Sequence, residues 1–177
     1  MLIRQATLLD VESLSSVNFR SWKTTYEGLI EGGMPIPLNE DGMRMKWTNS
    51  ITISNQSQEK FVFVAEVDDQ IVGYSVCGKN RKDEITNFDW ELYAIYLLKE
   101  YQGKGLGTQL FSHSVNEMKQ RGARSFILFV LATNLPSVRF YESFCPDFRI
   151  DNTVTIAEKE YPHTGFGWSD IDSFRCN

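Results

Sequence analysis

Three glycines alternate in the segment Gln102-Gly103-Lys104-Gly105-Leu106-Gly107, and Leu106, Leu110, Phe111, Val115 and Met118 follow at roughly helical spacing. That spacing predicts a helix beginning inside the glycines. The first amides of a helix lack internal partners, and together with the helix dipole they make an anion site suited to phosphate. Clustered glycines cost conformational entropy and need a reason. They serve either as a plain turn or as the place where a ligand comes close to bare backbone amides. The hexapeptide alone does not decide between these.

Two other glycine-rich phosphate motifs fit poorly. A P-loop needs Gly-Lys followed by Ser or Thr, and Lys104 is followed by Gly105. A dinucleotide fingerprint starting at Gly103 would need a third glycine where the chain has Thr108, and a hairpin precedes it here. Metal and disulfide chemistry also lack support. Cys77, Cys145 and Cys176 show no Cys-x-x-Cys spacing, and His113 and His163 lie far apart. His113 falls mid-helix and reads as a surface residue. No metal is expected.

The elements that must position the glycine loop follow from patterning. Leu2–Ala6 reads as a strand. Thr7 caps a helix with Asp10 in its first turn, and Leu8, Val11, Leu14, Val17 and Trp22 form its buried stripe. The stretch GLIEGGMPIPLNEDG, with Gly32, Gly33, Pro35 and Pro37, reads as a long loop. A short helix with Met43, Trp47 and Ile51, capped near Asn39, comes next. FVFVAEV and IVGYSVCG, joined at Asp68-Asp69-Gln70, form a hairpin. FDWELYAIYLL is apolar on both faces, as a central strand is. The helix after the glycines ends at Gly122, SFILFVLA is a buried strand, and Asn134–Phe144 is a short helix with Pro136 in its first turn. TVTIAEKEY and TGFGWSDI suggest a closing hairpin. The unit strand–helix–strand around the glycines is a crossover between parallel strands. The fold class is α/β (α+β): a mixed, mainly antiparallel twisted sheet of six to seven strands flanked by about four helices, forming one domain over 1–177.

The chain is 177 residues long, 42% hydrophobic and 13% aromatic, with formal net charge −5. Those values fit a single globular core. The acidic balance argues against nucleic acid as a partner and weakly suits a cationic second substrate. No apolar run spans a bilayer, and the start, MLIRQATLLDVESL, does not read as a signal peptide, so a cytoplasmic protein without a membrane partner is expected.

Gln102 to Gly107 matches the pattern Gln/Arg-x-x-Gly-x-Gly/Ala. With ELYAIYLLKEYQGKGLGTQLF before and around it, and the segment from Asn134 to Glu142 after it, most of the chain resembles the GCN5-related N-acetyltransferase superfamily. The resemblance implies acetyl-CoA as co-substrate and direct acetyl transfer to a primary amine of a small molecule or peptide. It implies that the loop Gln102, Gly103, Lys104, Gly105, Leu106, Gly107 and Thr108 holds the pyrophosphate through its amides. The main chain of Ile95, Tyr96 and Leu97 would pair with the pantetheine arm, with Asn134 and Ser137 also on the cofactor. For that pairing, the strands ELYAIYLL and SFILFVL must diverge at their ends.

In such a family Tyr141 lies beside the thioester sulfur as general acid. Its alternative is a core tyrosine with a satisfied hydroxyl. Glu91 stands where several members carry a base, and its setting between Trp90 and Tyr93 could raise its pKa; the alternative is a solvated strand-end carboxylate. Trp22 or Tyr26 is expected to border the acceptor cavity. The chain departs from the family after Tyr141-Glu142, where Cys145 and Pro146 stand in place of a run ending in Gly-Phe. A homodimer is left open, and a non-catalytic acyl-CoA-binding sensor is the alternative function.

Overall fold

The computed structural model describes residues 1–33, 39–57, 59–82 and 84–175. Pro35, Pro37 and Cys176 lie outside the described residues. Strands β1 (Leu2–Gln5), β2 (Lys60–Val67), β3 (Gln70–Lys79), β4 (Trp90–Leu97), β5 (Phe126–Leu131), β6 (Phe148–Ile156) and β7 (Lys159–Trp168) form one sheet in the order β1-β2-β3-β4-β5-β7-β6. Every neighbouring pair is antiparallel except β4–β5, which is parallel. The crossover between those two strands is helix α3 (Leu106–Gln120), as parallel neighbours require.

Alternation along the strands sends side chains to two cores. Phe61 and Phe63 of β2 join Trp90 and Leu92 of β4 under α3 and α4 (Leu135–Glu142). Val62 and Val64 face the other way, against α1 (Val11–Tyr26) and α2 (Glu40–Gln56). Asp10 anchors the entry to α1. Its carboxylate accepts from the Thr7 amide at 2.7 Å and from both Arg4 terminal nitrogens at 2.8 Å. The Arg4 hydrogen bonds hold that carboxyl below the usual carboxylate range. The Asn39 side chain caps α2 by accepting from the Gly42 amide at 2.8 Å.

Four expectations need correction. Leu8 is 53% exposed, because a 3-10 turn over Leu8–Asp10 turns it off the face that buries Leu14, Val17 and Trp22. α2 is a long helix, extended beyond its apolar stripe because Ser50 and Ser54 are also buried on its sheet side. His113 is partly buried and packs edge-on against Phe63 at 4.9 Å. The closing hairpin turns at Ala157-Glu158, both in the left-handed region, so β7 runs straight through Pro162 and His163. Two ordinary residues make that turn, which glycine and proline signals do not reveal.

Two local features shape the sheet centre. The β3–β4 register steps from Val76↔Ala94 to Cys77↔Leu92, leaving Tyr93 as a bulged residue. From β4 to β5, pairing covers only Trp90↔Phe126, Glu91↔Ile127 and Leu92↔Leu128. The strands then diverge, as the resemblance implies. Behind the sheet, Phe111 of α3 is fully buried and touches Phe126, Phe140, Tyr141, Phe144, Trp168 and Phe174 with centroids 4.8–6.1 Å apart. One ring thus ties α3, α4, β5 and β7 together. Phe111→Ala is expected to lose about 3–5 kcal/mol of stability, and Phe111→Leu distinctly less, in urea denaturation followed by circular dichroism.

Candidate active site

The gap between β4 and β5 opens into two adjoining cavities. One, of about 480 Å³, is lined by Ile95, Tyr96, Leu97, Gln102, Gly103, Gly105, Gly107, Thr108, Pro136, Ser137, Phe140 and Tyr141. The other, of about 210 Å³, shares Ile95, Tyr96, Leu97, Gln102, Ser137 and Tyr141. It adds Tyr26, Asn134 and, at its far wall, Tyr93, Phe129 and His163. Tyr141 therefore stands where the cavities meet.

The glycine loop forms the outer end of the larger cavity. Gly103 and Gly105 have φ of +70° and +77°, a region in which other residues are strained. Around each, the space a Cβ would enter is open. α3 starts at Leu106, so its first free amides face this opening. On β4, Leu98 N–H donates to Val72 O on the β3 side at 2.9 Å. Strand alternation then turns the main-chain groups of Ile95 and Leu97 into the gap. There the Leu97 carbonyl accepts from Gln102 Nε2 at 3.0 Å. Backbone amides at one end and free strand edge at the other suit a long ligand with an anionic head and an amide-bearing arm.

Tyr141 is carried on the last turn of α4 and is 8% exposed. Burial pushes its phenol pKa up, so the hydroxyl keeps its proton at neutral pH. Among the described residues it has no hydrogen-bond partner. Asn134 caps α4, its Oδ1 accepting from Ser137 N at 3.3 Å, and it lines the smaller cavity as well. At the end of α4, Cys145 adopts a φ of +52° and its amide donates to Glu142 O at 3.1 Å. Cys145 thus takes the left-handed exit position usually given to glycine, and the departure from the family pattern leaves the helix intact.

Tyr26 lines the smaller cavity, its hydroxyl 2.5 Å from that of Tyr96. Trp22 stands behind it, edge-on at 6.4 Å, and supports rather than lines the cavity. Beyond Tyr26, the Glu31 amide donates to the Tyr161 hydroxyl at 3.0 Å, and Lys159 pairs with Glu31. These contacts tie the segment after α1 to β7 next to the site. Lys104 and Leu106 do not line either cavity with their side chains; Lys104 lies over the Tyr101 ring at 5.4 Å.

Glu91 is placed differently from a strand-end carboxylate in solvent. It is 2% exposed, and it takes hydrogen bonds from Arg81 Nη2 at 2.6 Å and Arg81 Nε at 3.1 Å. The Arg81 guanidinium in turn lies 3.7 Å over the Tyr93 ring. Glu91 does not line the cavity containing Tyr141. The imidazole on its wall is His163, stacked on Phe129 at 5.2 Å. Burial and the Lys82 charge push its pKa down to about 4, with Glu91 pulling the other way, so the imidazole is neutral at pH 7. His163, Phe129 and Tyr93 escaped sequence reasoning. The first two face the cavity only because β7 continues past Pro162 and pairs with β5.

The profile of the Acetyltransferase (GNAT) family matches residues 22–145. YuaI, an uncharacterized N-acetyltransferase of Bacillus subtilis, is 30% identical over 174 residues, covering 98% of this chain and 95% of that protein. The spermidine N(1)-acetyltransferase of Thermoplasma acidophilum is 28% identical over 163 residues, or 90% and 96% of the two chains. Among solved structures, the PaiA N-acetyltransferase of T. acidophilum in complex with coenzyme A is similar, with a TM-score of 0.71, 24% identity and coverage of 92% and 96%. YncA of Salmonella typhimurium, a putative acetyltransferase solved with acetyl-CoA, gives a TM-score of 0.69 at 19% identity, covering 97% and 94%. With the profile running from α1 to the end of α4 and a relative aligned along nearly the whole length, the chain belongs to the GNAT family of acetyltransferases and is an acyltransferase.

Proposed function

We propose that residues 1–177 form one domain that moves the acetyl group of acetyl-CoA directly to a primary amine of a small molecule or peptide. The observation that carries this is the place of Tyr141, a buried phenol standing where a glycine-ended cavity meets a second one. The amides of Gly103, Lys104, Gly105, Leu106, Gly107 and Thr108 would hold the pyrophosphate. The main chain of Ile95 and Leu97, flanked by Tyr96, would meet the arm, with Gln102, Asn134 and Ser137 beside it. Acetyl-CoA supplies a thioester carbonyl at the junction. The acceptor amine would enter the smaller cavity, with Tyr26 on its wall and Trp22 supporting that wall.

Transfer forms a C–N bond and breaks a C–S bond. Tyr141 gives its phenolic proton to the departing sulfur and regains one from solvent; its raised pKa keeps that proton in place until the sulfur needs it. The ammonium proton of the acceptor must leave before attack. We assign this to Glu91 acting through an intermediary, since its carboxylate is held by Arg81 away from the cavity lining. The neutral His163 imidazole on the cavity wall can accept a hydrogen bond from the incoming amine.

Two measurements test this reading. Tyr141→Phe keeps the ring and removes the proton, so kcat is expected to fall by about 10²-fold with acetyl-CoA affinity nearly unchanged. Full activity in folded Tyr141→Phe, or tight cofactor binding with no turnover on any amine, would refute the assignment. Gly107→Asp probes the cradle without backbone strain, because a Cβ there meets Leu97 and Phe140 at an ordinary 3.6–3.7 Å. The added carboxylate projects into the glycine-ended cavity beside Leu97 and Phe140, so calorimetry should show acetyl-CoA affinity reduced by roughly tenfold or more in the folded variant.

A further inference from the structure

Two hydroxyls meet on the wall of the smaller cavity. The Tyr26 and Tyr96 phenol oxygens lie 2.5 Å apart, and both residues line that cavity. One hydrogen bond joins them, and among the described residues neither hydroxyl has another partner, so one phenolic proton and free lone pairs remain. Tyr96 is the fixed member: it sits on β4, with the rings of Tyr74 and Trp22 at 5.5 Å and 6.3 Å. Tyr26 is the last residue of α1, where helices fray, and the bond to Tyr96 gives its hydroxyl a direction. Tyr141 lines the same cavity and its phenol feels Tyr26, as Tyr96 feels Tyr141.

The remaining polar lining is uncharged. Thr25, Gln102, Asn134 and Ser137 supply hydroxyls and amides, and among the described residues no aspartate, glutamate, lysine or arginine lines this cavity. Glu91 lies outside it, held by Arg81. The wall resists charge of either sign. Burial pushes the phenols of Tyr26, Tyr96 and Tyr141 up, and burial and Lys82, opposed by Glu91, take His163 down to about 4. An ammonium set there, with no carboxylate on the wall, would lose its proton more readily than in water.

We infer that Tyr26, positioned by Tyr96, accepts a hydrogen bond from the acceptor's amino group, and that this amine is bound uncharged. The acceptor is then an amine of low basicity, such as the α-amino group of a peptide, rather than a polyamine or a lysine side chain. A neutral primary amine has two N–H groups. Tyr26 and His163 on the same wall can take one each, and the nitrogen lone pair stays free for the thioester. An α-amino group has a pKa of about 8 and a lysine-type amine about 10.4, so near neutral pH the first offers roughly two orders of magnitude more free base. The inference rests on the acetyltransfer reading above and deepens it, replacing the cationic substrate that overall charge alone would favour.

Initial rates with acetyl-CoA are measured across pH for two dipeptide amides, one with only an α-amine and one with only a lysine ε-amine. Phenethylamine and its β-fluoro and β,β-difluoro analogues, one shape whose basicity falls with each fluorine, are run beside them. For wild type, kcat/KM should rise with pH and level off at each amine's own pKa, and near neutral pH the α-amine should be used about tenfold or more faster than the ε-amine. Tyr26→Phe should raise the acceptor KM by about threefold to tenfold with acetyl-CoA affinity unchanged. Tyr96→Phe should raise it too, with the double variant no worse than Tyr26→Phe alone. Tyr96 also lines the larger cavity, so a mere packing defect would weaken acetyl-CoA binding as well. One common level-off pH for every amine, a preference for the ε-amine, an unchanged KM in folded Tyr26→Phe, or additive losses in the double variant overturns the inference and leaves the transferase reading standing. If no amine is acetylated, calorimetry of the α-amine dipeptide amide with coenzyme A present carries the test. Binding lost in Tyr26→Phe keeps the amine site and sinks the transferase reading; binding that is absent or indifferent to the substitution removes both.

Discussion

The site depends on the parting of β4 from β5 after three paired residues. Tyr93 is bulged against β3, and a bulge bends and twists its strand at that point. Past it, β4 leaves its parallel neighbour with the main-chain groups of Ile95 and Leu97 facing a gap instead of a partner strand. An unpaired buried strand edge is costly unless something else bonds to it. Gln102 takes the Leu97 carbonyl, and the rest of the edge is left for a ligand. The same divergence lets Tyr141 stand between two cavities and brings the wall of β7 within reach of the smaller one.

A gap in the middle of a sheet must be held open by rigid packing elsewhere. Phe111 and its ring neighbours do this, joining α3 and α4 to β5 and β7 in one aromatic core that reaches the cavity at Phe140 and Tyr141. The start of α3 is thereby fixed relative to β4, and with it the glycine amides. Glycine supplies shape at the walls too. A Cβ at Gly165 would come 2.7 Å from Phe129, so the bare position in β7 lets the Phe129 ring lie against it. Phe129 in turn bears His163 and lies under Lys82.

Charge is distributed against the average. The buried Glu91 carboxylate sits under the half-exposed Arg81, so removing Arg81 would leave that carboxylate buried without its cation. Its most evident structural consequence is a guanidinium fixed flat on Tyr93. A side chain that sequence alone suggests as a base is thus also the support of a cation, through a contact between β4 and the segment after β3.

Periodicity, glycine spacing and caps carried the element order, the parallel crossover, the glycine loop that opens α3 and the helix bearing Tyr141, because each depends on residues close in the chain. Asn39, Asn134 and Gly122 act locally and sit where local signals put them. Leu8 failed because a single 3-10 turn rotates the helical stripe. The last hairpin is present, but its turn was misplaced, because Ala157 and Glu158 turn the chain without glycine while Pro162 is tolerated inside a strand. The partner of Glu91, the neutral His163 and the cations on Tyr93 and Phe129 had no signal in the sequence. Each is set by contacts between residues ten to more than eighty positions apart, and only the packed sheet fixes which charge lies beside which ring.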